Sequence, residues 1–380
     1  MTLLGVHLTV LAGPTVPVPL PPDVTARVRE LVVTESDSDR SAFTLTLDAG
    51  RSGPTAALDT SVLTTSPVRA NSRVVVVLTM GAVPIVLADG IVTETELVPG
   101  GPGQPAELRA TGHDLSVLLD RHEVSAEHVG LDDMLQVGAI AAPYLAQGVV
   151  PQVVPPPALD PPLPIERIPT QQGTDWEHLE VLAAHHGFVV TMVPGPAPGT
   201  STLYWGPPVR IGVPQPALSV DLGAHTNVTG SPRFRQDVLG PELLEGQVQD
   251  PRLGAVVPVR TVGSLRPPLA ALPVWAVHQP DVRTRQVRDS GVPATTALAR
   301  AQAGTDASID CVEATGSLDG GRYGSVLRPR GLVGMRGAGW SHDGLWYVRK
   351  VEHRIARGSY TADFTLVREG FGSTVPVVRV

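Results

Sequence analysis

Residues 344–370 read GLWYVRKVEHRIARGSYTADFTLVREG, and their pattern decides the fold class. In the second half, Tyr360, Ala362, Phe364 and Leu366 alternate with Ser359, Thr361, Asp363 and Thr365. A period of two marks a half-buried strand. In the first half, Tyr347, Val351 and Ile355 fall on one face with Arg349 and His353. Parity then sets the turn: pairing Ile355 with Tyr360 brings Val351 opposite Phe364 and centres the turn on Arg357-Gly358. A slip of one residue would put every aromatic of the second strand into solvent, so the register is specified by burial.

The rest of the chain carries the same signature. At 380 residues it is too long for one small core, and two or three domains are the natural expectation. Gly (39) and Pro (38) each make up about a tenth of it, aromatic residues only 4%, and the apolar 42% is mostly Val, Leu and Ala. That composition suits many short strands joined by Gly/Pro turns. With charged residues at 17% and frequent apolar runs, the chain is not of the disordered class.

Net charge is −8, which argues against a general nucleic-acid binder, since phosphate recognition needs basic stripes. Lys350 is the only lysine among 29 basic residues, a pattern read here as codon bias rather than phosphate chemistry. Cys311 stands alone, so one chain holds no disulfide framework and no thiolate metal cage; in IDCVEA it reads as a buried, inert thiol. The N-terminal MTLLGVHLTVLAGPTVPVPLPP lacks a basic leader and breaks into prolines, so it reads as an arm of about 20 residues, neither signal peptide nor membrane span.

Along the chain, VRELVV, the polar turn ESDSDRS and the alternating Phe43, Leu45 and Leu47 predict a hairpin. SRVVVVLTM, VPIVLADGIVTETELV and 107–111 continue the β pattern, and Asp114 is placed to cap a short helix, LSVLLDRHE. These elements predict a first β-barrel domain over 1–122. Residues 123–150 lean helical, and 151–170, PQVVPPPALDPPLPIERIPT, form a stiff proline connector. Thr174 with Glu177 makes a capping box; Trp176, Leu179, Leu182, Ala183 and His186 share one helical face, and Gly187 ends the helix. Strands follow at 188–193 and 202–206, completing a mixed α/β middle region over 123–225. LEGQVQD, GAVVPVR, PVWAVHQ, 307–315 and 325–336 are strand material, with a helix at 293–303. With the closing hairpin at 345–369 they predict a second β-barrel domain over 226–380. The expected class is therefore mainly β with an α+β insertion.

Candidate chemistry is sparse. His178 and His185 lie two turns apart on one helical face beside His186, so a metal-dependent hydrolase is the alternative from another functional class. The i, i+4 spacing of a metalloprotease is absent, and surface or boundary histidines are the simpler reading. His113-Asp114 and His353 lack partner sets for acid–base catalysis, and neither a nucleophile elbow nor a P-loop is present. GGRYGS and GMRGAG read as turns. Arg322, Arg328, Arg330 and Arg336 form the one local basic cluster, by default a solvated loop. No catalytic, cofactor-binding or metal residue is assigned, and no cofactor is expected.

The closing hairpin resembles the C-terminal strands of the phage late-control D family, where a G-x-Y/W-x-V-x-x-V-x-H stretch precedes a G-x-Y-x-T/A-x-x-x-L-x-R-E strand. TDWEHLEVLAAHHGFVVTM…STLYWGPP is similar to that family's middle helix and strand, and ADGIVTETE…ATGHDLSVLLDR to its first barrel. The resemblance runs in order from about residue 20 to 370. It implies a baseplate hub like the N-terminal part of VgrG: a homotrimer whose two barrels per chain form a ring of pseudo-sixfold symmetry between a hexameric inner tube and a trimeric spike. It implies no enzymatic activity. The expected partners are further copies, the inner tube, other baseplate components and, since no spike region follows Gly370, a separate spike protein; nucleic acid and a membrane span are not expected. The implied setting is a contractile phage tail-like injection particle assembled in the bacterial cytoplasm, with or without release from it, and a non-contractile tail hub is the nearest alternative.

Overall fold

The computed structural model describes residues 5–14, 16–49, 66–100, 106–158, 161–162, 164–165, 167–277 and 281–375. The first part supplies β1 (Val6–Gly13), β2 (Val18–Pro19), β3 (Val28–Ser36), β4 (Ala42–Asp48), β5 (Arg73–Met80), β6 (Val83–Val98) and β7 (Glu107–Asp114). The middle holds β8 (Glu123–Glu127), helix α1 (Asp133–Ala141), β9 (Val149–Val153), β10 (Thr170–Thr174), helix α2 (Asp175–His185), β11 (Val189–Pro194) and β12 (Ser201–Gly206). Then come β13 (Gln215–Ser219), β14 (Val228–Gln236), β15 (Glu242–Asp250), β16 (Ala255–Arg260), β17 (Ala270–Pro273), β18 (Arg283–Gln286) and helix α3 (Ala294–Ser308). The chain finishes with β19 (Val312–Asp319), β20 (Leu332–Arg336), β21 (Gly344–Ala356), β22 (Ser359–Arg368) and β23 (Gly370–Ser373). Among the described residues no helix is long and apolar enough to cross a membrane.

The fold is mainly β, as expected, but the expected pair of closed barrels is corrected: among the described residues no sheet closes on itself. One sheet runs β14-β19-β22-β21-β3-β4-β7-β6-β5-β1-β2, with β13 and β20 branching from β21. The physical reason is the edge of β3. Instead of returning to its own unit, it pairs antiparallel with β21, from Lys350 opposite Ser36 to Ala356 opposite Glu30. In the second unit β13 and β14 approach one another, but the Asn227 side chain spans the gap in place of a ladder, donating to the Ala217 carbonyl at 3.0 Å and accepting from the Ser219 N–H at 2.8 Å. The sheet nevertheless contains one four-strand motif twice. The orders β3-β4-β7-β6 and β14-β19-β22-β21 match, and both have a bulge in the last strand, after Val92 and after Val348.

The closing hairpin keeps its expected register: Ile355 opposes Tyr360, Val351 opposes Phe364, and Gly358 sits in the turn with φ +77°. The bulge was not foreseen. Arg349 is the extra residue, so parity changes there: Trp346 and Val348 join Val351 in one core, whereas Tyr347 joins Val367, Leu332 and Leu269 on the opposite face. The valine run of β5 is buried on both faces, with Val74, Val76 and Leu78 in the main first core and Val75 and Val77 in a smaller cluster. That first core also takes in Ile355 and Tyr360 from the closing hairpin, so it spans the β3–β21 junction.

Other expectations shift locally. Residues 6–13, read as part of an arm, form β1 and pair with β5 along their whole length, because alternating Val6, Leu8, Val10 and Ala12 have a core to meet. The helix-leaning 123–150 begins instead with β8, ahead of α1. Pro151 of the proline stretch lies in β9, an edge strand parallel to β12, where a missing N–H is tolerated. Within PVWAVHQ, Pro273 ends β17 and Val274–Val277 form a single helical turn in place of the expected strand; 278–279 lie outside the described residues. Phe364, 2% exposed, packs its ring over Gly316 of β19. Phe364→Ala is expected to destabilise the chain by about 3–5 kcal/mol in denaturant unfolding, whereas Lys350→Ala, at a half-buried position outside the apolar clusters, should cost less than about 1 kcal/mol.

Candidate functional site

The junction of β3 and β21 encloses a polar cluster. His353, fully buried, places Nδ1 3.0 Å from the Tyr360 hydroxyl and Nε2 3.3 Å from Oε2 of Glu35. The second contact is at ion-pair distance without hydrogen-bond geometry, and both atoms lack another partner. Arg328 completes the cluster, with Nη2 3.1 Å from the Glu35 carboxylate and Nη1 donating to the Val86 carbonyl at 2.7 Å. From sequence, His353 was a strand residue flanked by charges. Apart from Tyr360 in the same hairpin, the groups of the cluster come from β3 and from a loop, so no local pattern could have named them. The cavity beside Glu35 has a volume of only about 10 Å³, so the cluster serves the junction.

The middle region is organised by the capping box. The Thr174 hydroxyl accepts from the Glu177 N–H at 3.2 Å, and the Glu177 carboxylate accepts from the Thr174 N–H at 2.9 Å. Trp176, Leu179, Leu182 and Ala183 are buried, as the helical spacing predicts. The three histidines are not brought together. His178 bonds Gln136 of α1 at 3.1 Å and stacks on His128 with ring centres 5.6 Å apart; burial, then His128, lowers its pKa. His185 (Nδ1, 3.2 Å) and His186 (Nε2, 3.0 Å) both face Oδ2 of Asp133, at the start of α1. Burial pushes the Asp133 carboxyl up, but the hydrogen bonds and charges of the two imidazoles outweigh it and hold the group well below the usual carboxylate range. An ionised carboxylate only accepts, so both imidazoles donate here. Among the described residues no three His, Cys, Asp or Glu side chains are placed to hold a metal ion. The arrangement joins α1 to α2.

Asp114 does not take the expected cap position: the N-cap of the short helix Ser116–Leu119 is Leu115, without a side-chain cap, and Asp114 stands one residue before it, with Oδ1 accepting from the Ser116 N–H at 3.0 Å and Oδ2 from the Ser41 N–H at 2.9 Å. Cys311 is 5% exposed, and burial pushes its thiol up to about 12, which suits an inert buried thiol. The basic cluster disperses. Arg322 pairs with Asp319, Arg330 lies 4.1 Å over the Tyr204 ring, and Arg336 reaches the Ser219 hydroxyl.

Sequence reasoning missed a buried ion network. Arg210, on the loop after β12, has its side chain 2% exposed; it pairs with Asp310 and, at 2.9 Å, with Glu369. The other Glu369 oxygen accepts from the backbone N–H groups of Leu269 and Ala270. The network fastens four segments that are remote in sequence. Beside it opens a cleft of about 930 Å³ with Phe188, Tyr204, Pro207, Ile211, Leu265 and Leu298 among its walls. Arg266 and Asp306 also line it, but they bond the Gly187 carbonyl and the Ser264 hydroxyl, leaving a largely apolar surface.

No family model matches this chain, and no curated protein matches it. Solved structures do. A tail protein from Neisseria meningitidis MC58 is 15% identical with a TM-score of 0.62, covering 97% of this chain and 98% of that one. The 43 kDa tail protein of prophage MuSo2 from Shewanella oneidensis is 15% identical with a TM-score of 0.59, covering 95% and 98%. The E. coli c3393 protein, a type VI secretion component described as similar to the T4 tail proteins gp27 and gp5, is 13% identical with a TM-score of 0.54, covering 95% and 78%. This chain has the fold of phage-tail and type VI secretion proteins.

Two outcomes follow from these sites. Arg210→Ala leaves Asp310 and Glu369 short of a buried counter-charge, and chemical denaturation should show a loss of about 3–5 kcal/mol. Asp133→Asn should cost about 1.5 kcal/mol at pH 7. Because the folded pKa of Asp133 is depressed, its stabilisation is full above the unfolded value of about 3.9 and is lost as pH falls through the folded one. The stability gap between wild type and D133N should therefore close below about pH 4, as read by melting temperature against pH.

Proposed function

We propose that this chain is a structural baseplate hub subunit of a contractile phage tail-like injection particle, of the late-control D type. It acts as a homotrimer that links a hexameric inner tube to a trimeric spike, by assembly and not by catalysis. The observation that carries the reading is the repeated four-strand motif in one sheet, set in a fold shared end to end with phage tail proteins. Two equivalent motifs per chain let three chains present six equivalent surfaces to a sixfold tube, while the remainder of each chain keeps threefold symmetry for the spike. The parts 1–122, 123–225 and 226–380 are the units of this reading, with the spike and other baseplate components as separate partners. Assembly takes place in the bacterial cytoplasm, before or without release of the particle.

The test is mass measurement in solution, alone and with a trimeric spike protein added. A trimer, or a trimer formed on the spike, is the expected result. A monomer that joins neither spike nor tube overturns the reading. Sheath protein in purified particles separates a contractile tail from a non-contractile one.

A further inference from the structure

Two histidines stack beside α2. The rings of His128, just after β8, and His178 of α2 have centres 5.6 Å apart and planes 21° from parallel. Each ring is pinned by a buried glutamine. His178 Nε2 lies 3.1 Å from Oε1 of Gln136 in α1, and His128 Nε2 lies 3.1 Å from Oε1 of Gln171 in β10. Both glutamines are 1% exposed, and each has its amide nitrogen committed elsewhere. Gln136 donates to the Leu131 carbonyl at 3.1 Å, and Gln171 to Asp175 Oδ1 at 2.7 Å. The amide oxygens therefore accept, so both imidazoles donate from Nε2, and the proton that charges either ring goes to Nδ1. A ring that swung away would leave a buried amide oxygen unpaired. Like charge placed on both rings is thus relieved only by moving the elements that carry them.

The groups around the stack are already engaged. His178 faces His128 from the end of β8, Asp133 from α1, and Asp175 and His185 from α2 itself. Glu177 of α2, Arg167 of the proline stretch and Arg300 of α3 line the same cleft of about 390 Å³. Asp175 accepts from Gln171 and, at 2.8 Å, from the Tyr144 hydroxyl; Asp133 accepts from His185 and His186, and Glu177 from the Thr174 N–H. Burial and the His128 ring outweigh the pull of Asp133 and Asp175 and lower the His178 pKa.

We propose that the His128–His178 stack is an acid-sensitive latch: protons on both rings push the first turns of α2 away from the end of β8, while Asp133 holds the other end of the helix. Acid acts in the opposite sense at that far end, because a proton on His185 or His186 turns its bond to Asp133 into an ion pair. The helix is then released at its start and retained at its tail. Since the folded pKa of His178 is depressed, docking is undisturbed above the unfolded value of about 6.5 and weakens as pH falls from there toward the folded one. This window lies above the one in which the Asp133 contribution is lost. The stack lies within one chain, so the latch operates whatever particle the chain belongs to.

The test is hydrogen exchange of the full chain, read by mass spectrometry at several pH values and corrected for the intrinsic exchange rate. Protection of the amides at 175–182 should fall about tenfold between about pH 7.5 and about pH 5.5, since one unit of pKa is a factor of ten. The amides of β21 and β22 should keep theirs over the same range. His178→Gln and His128→Gln each retain a hydrogen-bond donor and remove a titrating ring, and each should flatten the response at 175–182 to less than about threefold. Independently, NMR of ring-labelled histidine should show the His178 pKa rising in H128Q, because the neighbouring charge is gone. A wild-type response at 175–182 no larger than that of β21 and β22 overturns the latch. So does a response that persists in both variants. A response removed by H178Q but left whole by H128Q, with the His178 pKa unmoved, also overturns it, since burial alone then accounts for the effect. Should H178Q fail to fold, the wild-type response and the H128Q titration decide the matter.

Discussion

The pairing of β21 with β3 is the constraint on which the rest of the structure depends. It joins residues more than three hundred positions apart in the chain and turns two β units into one sheet. Such a long-range junction carries a large loop-closure cost, so it needs strong local reward. The reward is a continuous core, since Ile355 and Tyr360 pack with Leu31, Val33 and Phe43. The buried Glu35 and His353, with half-buried Arg328, add selectivity: a register shift would leave the Glu35 carboxylate buried without its arginine.

The middle region is held to this sheet by arginines reaching across. Arg73 of β5 forms a bidentate pair with Asp89 at 2.7 Å and also donates to the Gln147 and Gly199 carbonyls. Burial raises the Asp89 pKa, against the pull of Arg73, so the pair offsets a desolvation cost rather than adding a large net gain. Arg210 plays the corresponding part on the other side, inserting from the middle region between Asp310 and Glu369. The histidines bound by Asp133 belong to the same logic at smaller scale: a carboxylate at the head of α1 fastened to the tail of α2.

What was legible in the sequence was what neighbours in the chain decide. The Arg357-Gly358 turn, the Ile355–Tyr360 register and the Thr174–Glu177 capping box depend on residues within a few positions of each other, and each appears where its spacing places it. The bulge at Arg349 was not legible, because an extra residue is admitted only when its partner strand is known. Nor was the failure of the barrels to close: β3 reads as an ordinary amphipathic strand whether its free edge meets its own unit or another. The helical turn at Val274–Val277 had the composition of a strand and was overruled by context, as short apolar runs often are. The candidate sites followed the same division. The buried face of the Thr174-capped helix was readable, whereas the pairing of His353 with Glu35 and the partners of Arg210 were set by tertiary structure alone.

The near-absence of lysine takes on physical content in this light. Composition alone reads as codon bias, but the folded chain uses the guanidinium in ways an ammonium does not serve. Arg73 holds a carboxylate with two parallel bonds while spending a third nitrogen contact on backbone carbonyls. Arg330 and Arg368 lie 4.1 Å over the faces of Tyr204 and Trp346, where a flat cation stacks and a compact one stays hydrated. Burial lowers the pKa of Arg368 to about 10, and the group is still charged at neutral pH. A lysine starts about two pH units lower, so the same desolvation would bring it far closer to neutrality. The interior charges of this fold are therefore tolerable because they are arginines, each fixed by several acceptors or by an aromatic face. Substituting lysine at Arg73, Arg210 or Arg368 would keep the formal charge and lose the geometry that makes its burial affordable.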